Sequence, residues 1–84
     1  MYHTTKGFWK FYYQLPKEIQ DSADKNFELL KNDKGHPSLQ FKRIDQLYSV
    51  RVGLAHRALG IEKAGNIYWF WIGAHDEYIR IIKR

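Results

Sequence analysis

Apolar side chains recur early in the chain at three- and four-residue spacing, as Phe8, Phe11, Tyr12 and Leu15, the period at which side chains stack on one face of a helix. The spacing predicts a short first helix. Pro16 interrupts it, and because proline suits the first turn of a helix, Leu15-Pro16-Lys17-Glu18 reads as a corner into a second one. Ile19, Ala23, Phe27 and Leu30 form the apolar stripe of that helix. Glu18 and Asp21 lie in its first turn and Lys31 in its last, each with the sign the helix dipole favours. Gly35, suited to a left-handed cap, and Pro37, which cannot continue a helix, predict where it stops.

From Leu39 onward the period changes to two. β-Branched and aromatic residues fall in short runs separated by glycines, which predicts strands over 40–44, 48–52, 56–61 and 67–72. Lys63-Ala64-Gly65-Asn66 carries a hairpin signal, and connections this short make neighbouring strands antiparallel. Ile79 and Ile82 return to helical spacing, so 76–83 reads as a closing helix or turn behind the sheet. With no linker, internal repeat or low-complexity stretch, 1–84 reads as one α+β domain: two N-terminal helices packed on an antiparallel sheet of about four strands, then a short C-terminal helix.

Composition narrows the classes. The 84 residues are 44% hydrophobic and 17% aromatic, enough to pack one core but not to build two. There is no cysteine, hence no disulfide framework and no thiolate zinc site, and His3, His36, His56 and His75 show no ligand spacing, so neither metal nor cofactor is expected. The longest apolar run, 67–72, is far too short to cross a bilayer, and the start lacks the apolar stretch of a signal peptide. A cytoplasmic protein with no membrane partner is the expectation. Fourteen Lys and Arg against nine Asp and Glu give a net charge of +5, a bias toward polyanions. No Gly-rich phosphate loop, Ser-His-Asp arrangement or H-E-x-x-H pattern is present, which removes the nucleotide-fold, serine-hydrolase and zincin classes.

Three groups of residues could carry chemistry. If Gly53-Leu54-Ala55 is a three-residue loop, Arg51 lies opposite Arg57 on one face of the sheet while Val50 and Ala58 share the other. Like charges directly across a sheet are mildly destabilising, so the pair calls for solvent, a nearby acid or a bound anion; a solvated strand face is the plain alternative. Second, Gly73-Ala74-His75-Asp76-Glu77-Tyr78 follows the most hydrophobic strand at the rim of the sheet. His75, Glu77 and Tyr78 suit general acid/base work; alternatively Asp76 is a helix cap, Glu77 a dipole partner and Tyr78 a core aromatic with a wet hydroxyl. Third, Lys34, Lys42 and Arg43 gather at the helix-to-sheet corner with His36 and, with Arg51 and Arg57, could continue a basic track along a phosphate backbone. His36 itself reads as a locally hydrogen-bonded structural residue. Trp69 and Trp71 alternate with Phe70, so one set faces the helices and the other the opposite side; core packing suits the tryptophans.

Taken together, Phe8-Trp9-Lys10, Leu15-Pro16-Lys17-Glu18-Ile19-Gln20, His36-Pro37-Ser38-Leu39-Gln40-Phe41-Lys42, Tyr48-Ser49-Val50-Arg51-Val52-Gly53, His56-Arg57-Ala58-Leu59-Gly60, Trp69-Phe70-Trp71-Ile72-Gly73 and His75-Asp76-Glu77-Tyr78 resemble the RelE/ParE superfamily of bacterial type II toxins over nearly the whole chain. The resemblance implies a small α/β fold with a short leading strand, two helices, an antiparallel sheet and a terminal helix. It further implies a ribosome-dependent endoribonuclease that cuts mRNA without metal, the ribose 2′-hydroxyl attacking the adjacent phosphate. On that pattern Arg51 and Arg57 are phosphate clamps, His75 moves a proton, Glu77 or Tyr78 is its partner, and Tyr48 stacks on a base. Ser49 stands where some members carry a lysine. The ParE branch implies instead a non-enzymatic toxin that inhibits DNA gyrase by protein contact, and an inactive descendant is the third option. The partners implied are a cognate antitoxin, laying an acidic segment over the basic face, and mRNA on the ribosome or gyrase; a homodimer is left open.

Overall fold

The computed structural model describes residues 1–83. In chain order the elements are β1 (Tyr2–Thr4), α1 (Lys6–Tyr12), α2 (Lys17–Asn32), a 3-10 turn (Pro37–Leu39), β2 (Lys42–Ile44), β3 (Leu47–Val52), β4 (His56–Lys63), β5 (Asn66–Ala74) and α3 (His75–Ile82). The strands form one sheet in the order β1-β5-β4-β3-β2. All neighbours are antiparallel except β1, which runs parallel to β5. The sheet is therefore five-stranded and mixed, where the sequence pattern gave about four antiparallel strands. Three residues are too few to show a period. Backbone bonds flanking β1 hold it, from Ile67 N–H to Met1 O at 3.0 Å and from Thr5 N–H to Trp69 O at 3.0 Å.

Thr5 caps α1 by accepting from Phe8 N–H at 3.2 Å. The helix ends at Tyr12, so Leu15 falls in the following corner rather than in the helix, although it still packs against the core. Phe11 leaves the expected stripe and lies 6.3 Å from Trp71. In α2 the stripe falls on the side expected. Ala23 and Leu30 are buried, with Ile19 and Phe27 packed against the cluster that holds Val50, Val52, Ala58, Trp69 and Ile72. Gly35 does not supply a left-handed cap. Asp33 closes the helix by donating its N–H to Leu29 O at 2.7 Å, and the left-handed residue before β2 is Gln40, at φ 42°. Ala64 and Gly65 are both left-handed, at φ 53° and 81°, the backbone of a tight two-residue hairpin.

The sheet has two covered faces. One carries α1 and α2; the other carries α3, whose Tyr78 is buried against Leu59 and Trp71 with Ile79 and Ile82 alongside. Strict alternation would put Trp69 and Trp71 on the same face, as the sequence pattern implies. A bulge opposite Leu59/Gly60 prevents this: Leu59 pairs with Trp71 and Gly60 with Trp69, leaving Phe70 as the extra residue. Trp69 therefore enters the helix-side core and Trp71 the α3 side. Gly60 makes room for it, because a Cβ there would stand 2.8 Å from Trp69 Cε3. Among the described residues no helix is long and apolar enough to cross a membrane.

Candidate functional site

The hairpin joining β3 to β4 sets the site. Gly53, at φ 61°, lets a three-residue turn close, and the register that results pairs Arg51 with Arg57 and Val50 with Ala58. Both arginines rise on the α3 side. Arg51 donates from Nε to Gly53 O at 3.1 Å.

Arg57 is only 3% exposed, and its guanidinium is held by neutral acceptors. Nε donates to Ser49 Oγ at 2.6 Å, Nη2 to Gln40 O at 2.9 Å and Nη1, more weakly, to Gln40 Oε1 at 3.4 Å. The Tyr78 ring lies beneath it, 5.2 Å from the guanidinium carbon. Burial lowers the Arg57 pKa; Tyr78 opposes that shift and the charge of Arg51 adds to it. A guanidinium nonetheless stays protonated in a protein, so Arg57 is a buried cation. The ion pairs among the described residues, Lys17–Asp21, Lys31–Glu28 and Arg80–Glu77, involve neither arginine.

His75 opens α3 beside this pair. Its backbone N–H donates to Ala55 O at 2.8 Å, tying the helix start to the β3–β4 turn. Its exposed ring stands 5.6 Å from that of Tyr78. Arg51, Arg57 and His75, with Gln40, Leu54 and His56, line one open pocket of ≈ 200 Å³. The arrangement presents two cations and two imidazole rings to a shared space that no carboxylate of the described residues lines, which suits an anion.

The other residues singled out in the sequence lie elsewhere. Glu77 is exposed and faces Arg80 at 3.7 Å, one helical turn on, instead of joining His75. Tyr78 is 1% exposed, and its hydroxyl is buried without a hydrogen-bond partner rather than wet. Asp76 does not cap α3, since the cap position is Ala74. The basic track is split by strand alternation. Lys42, paired with Ser49, lies on the arginine side, whereas Arg43 pairs with Tyr48 on the other. There Lys34, Phe41, Tyr48 and Arg43 form a ladder, with Lys34 Nζ 6.0 Å from the Phe41 ring, Phe41 5.5 Å from Tyr48, and the Arg43 guanidinium 5.7 Å beyond. Tyr48 O–H donates to Glu62 Oε1 at 2.6 Å, which raises its pKa, so its ring is engaged on the face away from the pocket. His36 does bond locally, accepting at Nδ1 from Ser38 N–H at 3.1 Å.

Sequence reasoning missed Gln40 and His56. Nothing local marks Gln40, whose backbone carbonyl does most of its work here. His56 adjoins Arg57 in sequence, and its Nδ1 is buried with no partner, so burial lowers its pKa. A larger cavity of ≈ 240 Å³, between the helices and the sheet, has apolar walls including Phe8, Leu30, Val50 and Ile72, and none of this chemistry. No group of His, Asp and Glu side chains among the described residues could hold a metal ion.

No protein-family model matches the sequence, and no curated protein does. Solved structures do match. RelE in the RelB–RelE antitoxin–toxin complex of Methanococcus jannaschii superposes with a TM-score of 0.72 at 18% identity, covering 94% of this chain and 96% of that one. YafQ of Escherichia coli gives 0.73 at 9% identity, covering 93% and 96%. The fold is that of the RelE-type toxins. Isolated RelE of E. coli, at 0.63 and 10% identity, spans 100% of this chain and 96% of its own, so the RelE-type fold accounts for the full length.

Proposed function

We propose that this chain is the toxin of a toxin–antitoxin module and a metal-independent endoribonuclease that cuts mRNA on the ribosome. The observation that carries the reading is a single pocket lined by Arg51, Arg57 and His75 in which neither arginine is neutralised by a carboxylate of the described residues. Burying a cation with no counter-ion is costly, and a bound phosphate offsets that cost. In the reaction the 2′-oxygen forms a bond to phosphorus as the bond from phosphorus to the 5′-oxygen breaks. The 2′-hydroxyl gives up its proton to a base, and the departing oxygen takes one from an acid. The products are a 2′,3′-cyclic phosphate and a 5′-hydroxyl. Arg51 and Arg57 oppose the charge that builds on the non-bridging oxygens. His75, exposed at the rim, takes up or delivers a proton. Tyr78 supports Arg57 from below, and Glu77 has no part.

The RelE-type relatives from M. jannaschii and Pyrococcus horikoshii were solved as complexes with RelB. The corresponding partner here is an antitoxin whose acidic segment covers the pocket. Induced expression tests the proposal. Arg57→Ala and His75→Ala should each abolish growth arrest and message cleavage while circular dichroism shows the fold retained. If growth arrest survives both substitutions and a DNA-damage response accompanies it, the activity is gyrase inhibition. A wild-type chain that arrests nothing is an inactive homologue.

A further inference from the structure

Resting on that reading, we infer that Ser49 and Gln40 are positioning residues that orient Arg57 toward the scissile phosphate through neutral acceptors. Ser49 is fully buried on β3, two residues before Arg51, and its Oγ receives Nε–H at 2.6 Å. Gln40 is the left-handed residue that ends the 3-10 turn, at φ 42° and ψ 47°, and Leu39 just before it is fully buried, which fixes where its carbonyl lies. That carbonyl receives Nη2–H at 2.9 Å, and the side-chain oxygen receives Nη1–H at 3.4 Å. A guanidinium has five N–H bonds. Three are taken, on three different nitrogens, so the plane is fixed about all its axes. The two left over, one on each terminal nitrogen, are not held by Ser49 or Gln40.

The choice of acceptor matters. A carboxylate in either place would orient the group equally well but cancel its charge, whereas a hydroxyl and an amide carbonyl orient it and leave the charge for the substrate. Each N–H left over can donate to a phosphate oxygen. Ser49 thus belongs to the site through Arg57, not through contact with RNA.

The test uses the full chain with ribosomes and message, and nitrogen-15 spectra of the same protein alone. Ser49→Ala should lower kcat about tenfold or more with little change in KM, because a charge-assisted bond that aims a transition-state contact is lost. Ser49→Thr, which keeps the hydroxyl, should recover most of that loss. In the spectra the Arg57 Nε–H signal, assigned by its disappearance in Arg57→Lys, should be protected from solvent exchange in wild type and in Ser49→Thr, and lose protection in Ser49→Ala. Unchanged kcat together with an unchanged signal in Ser49→Ala overturns the inference. If Ser49→Ala does not fold, Ser49→Cys decides: it nearly keeps the volume but replaces the hydroxyl with a far weaker acceptor, so a folded protein with wild-type kcat and unaltered Arg57 N–H signals overturns the inference. A kcat below wild type, with those signals altered, supports it. A wild-type chain that cuts no message refutes the nuclease, while the exchange measurement still decides whether Ser49 holds Arg57.

Discussion

If Arg57 is a buried cation awaiting an anion, phosphate should stabilise the protein through Arg57. The perturbation is Arg57→Met, which keeps much of the length and the apolar stem while removing the charge. Without phosphate, opposing changes act. The substitution removes the desolvation cost of a cation that is 3% exposed and the repulsion of Arg51 across the ladder, the latter ~0.2–1 kcal/mol. It also strips Ser49 Oγ and Gln40 O of their donors, at about 1–3 kcal/mol for each buried group left unpaired. The net change should be smaller than either part. With phosphate at about ten times its dissociation constant, wild type gains about 1.4 kcal/mol by linkage. For a domain of this size that is a rise of roughly 6–11 °C in Tm. Phosphate also stabilises proteins generally by exclusion from their surfaces, so the informative quantity is the difference between the two proteins at equal phosphate, read by calorimetry against chloride at matched ionic strength. An equal rise in wild type and Arg57→Met would refute the argument.

Three further outcomes follow from the scaffold. Gly60→Ala should lower stability by about 1–3 kcal/mol, since its Cβ would meet Trp69 Cε3 at 2.8 Å and Ile67 Cγ2 at 2.9 Å; the urea midpoint reads it. Ala64→Asn should raise stability by up to about 1 kcal/mol, and that midpoint with it, because Ala64 sits at φ 53° and asparagine adopts the left-handed region more readily. His56 makes stability depend on pH. Its folded pKa lies below the ordinary value of 6.5, so between the two values the unfolded chain binds more protons. Its contribution is present above pH 6.5 and is lost as pH falls through the folded value. Denaturation at pH about 7.5 and about 5.5 should show this slope, and His56→Leu should flatten it.

What could be read from the sequence was whatever a local rule determines. The two arginines face each other because loop length fixes hairpin register, and Gly53-Leu54-Ala55 announced the length. The α2 stripe and the Ala64-Gly65 turn follow from periodicity and turn chemistry in the same way. Three features resisted. The parallel pairing of β1 rests on contacts with a strand more than sixty residues away in the chain. The bulge that separates Trp69 from Trp71 arises where Gly60 lacks a Cβ, and a glycine in a strand signals such a break without saying which aromatic will turn. Gln40 acts mainly through its carbonyl, which every residue has, in a conformation that its side chain does not favour.

These features divide the labour between the two faces of the sheet. The bulge sends Trp69 to the α1–α2 side, where the larger core needs its volume, and leaves Trp71 with Leu59 and Tyr78 to build a floor under Arg57. That floor keeps water from the underside of the guanidinium, which strengthens its interaction with whatever anion enters above. It also explains why a tyrosine with an unpaired hydroxyl is tolerated at the base of α3. The ring of Tyr78, 5.2 Å from the Arg57 guanidinium carbon, is the part in use, and its π face meets the cation. Tyr78→Phe should therefore preserve both stability and activity, whereas Tyr78→Leu, which keeps the apolar volume but not the π face, should weaken phosphate binding. Equal losses of phosphate affinity in the two variants would assign the role to the hydroxyl instead and remove the floor from the argument.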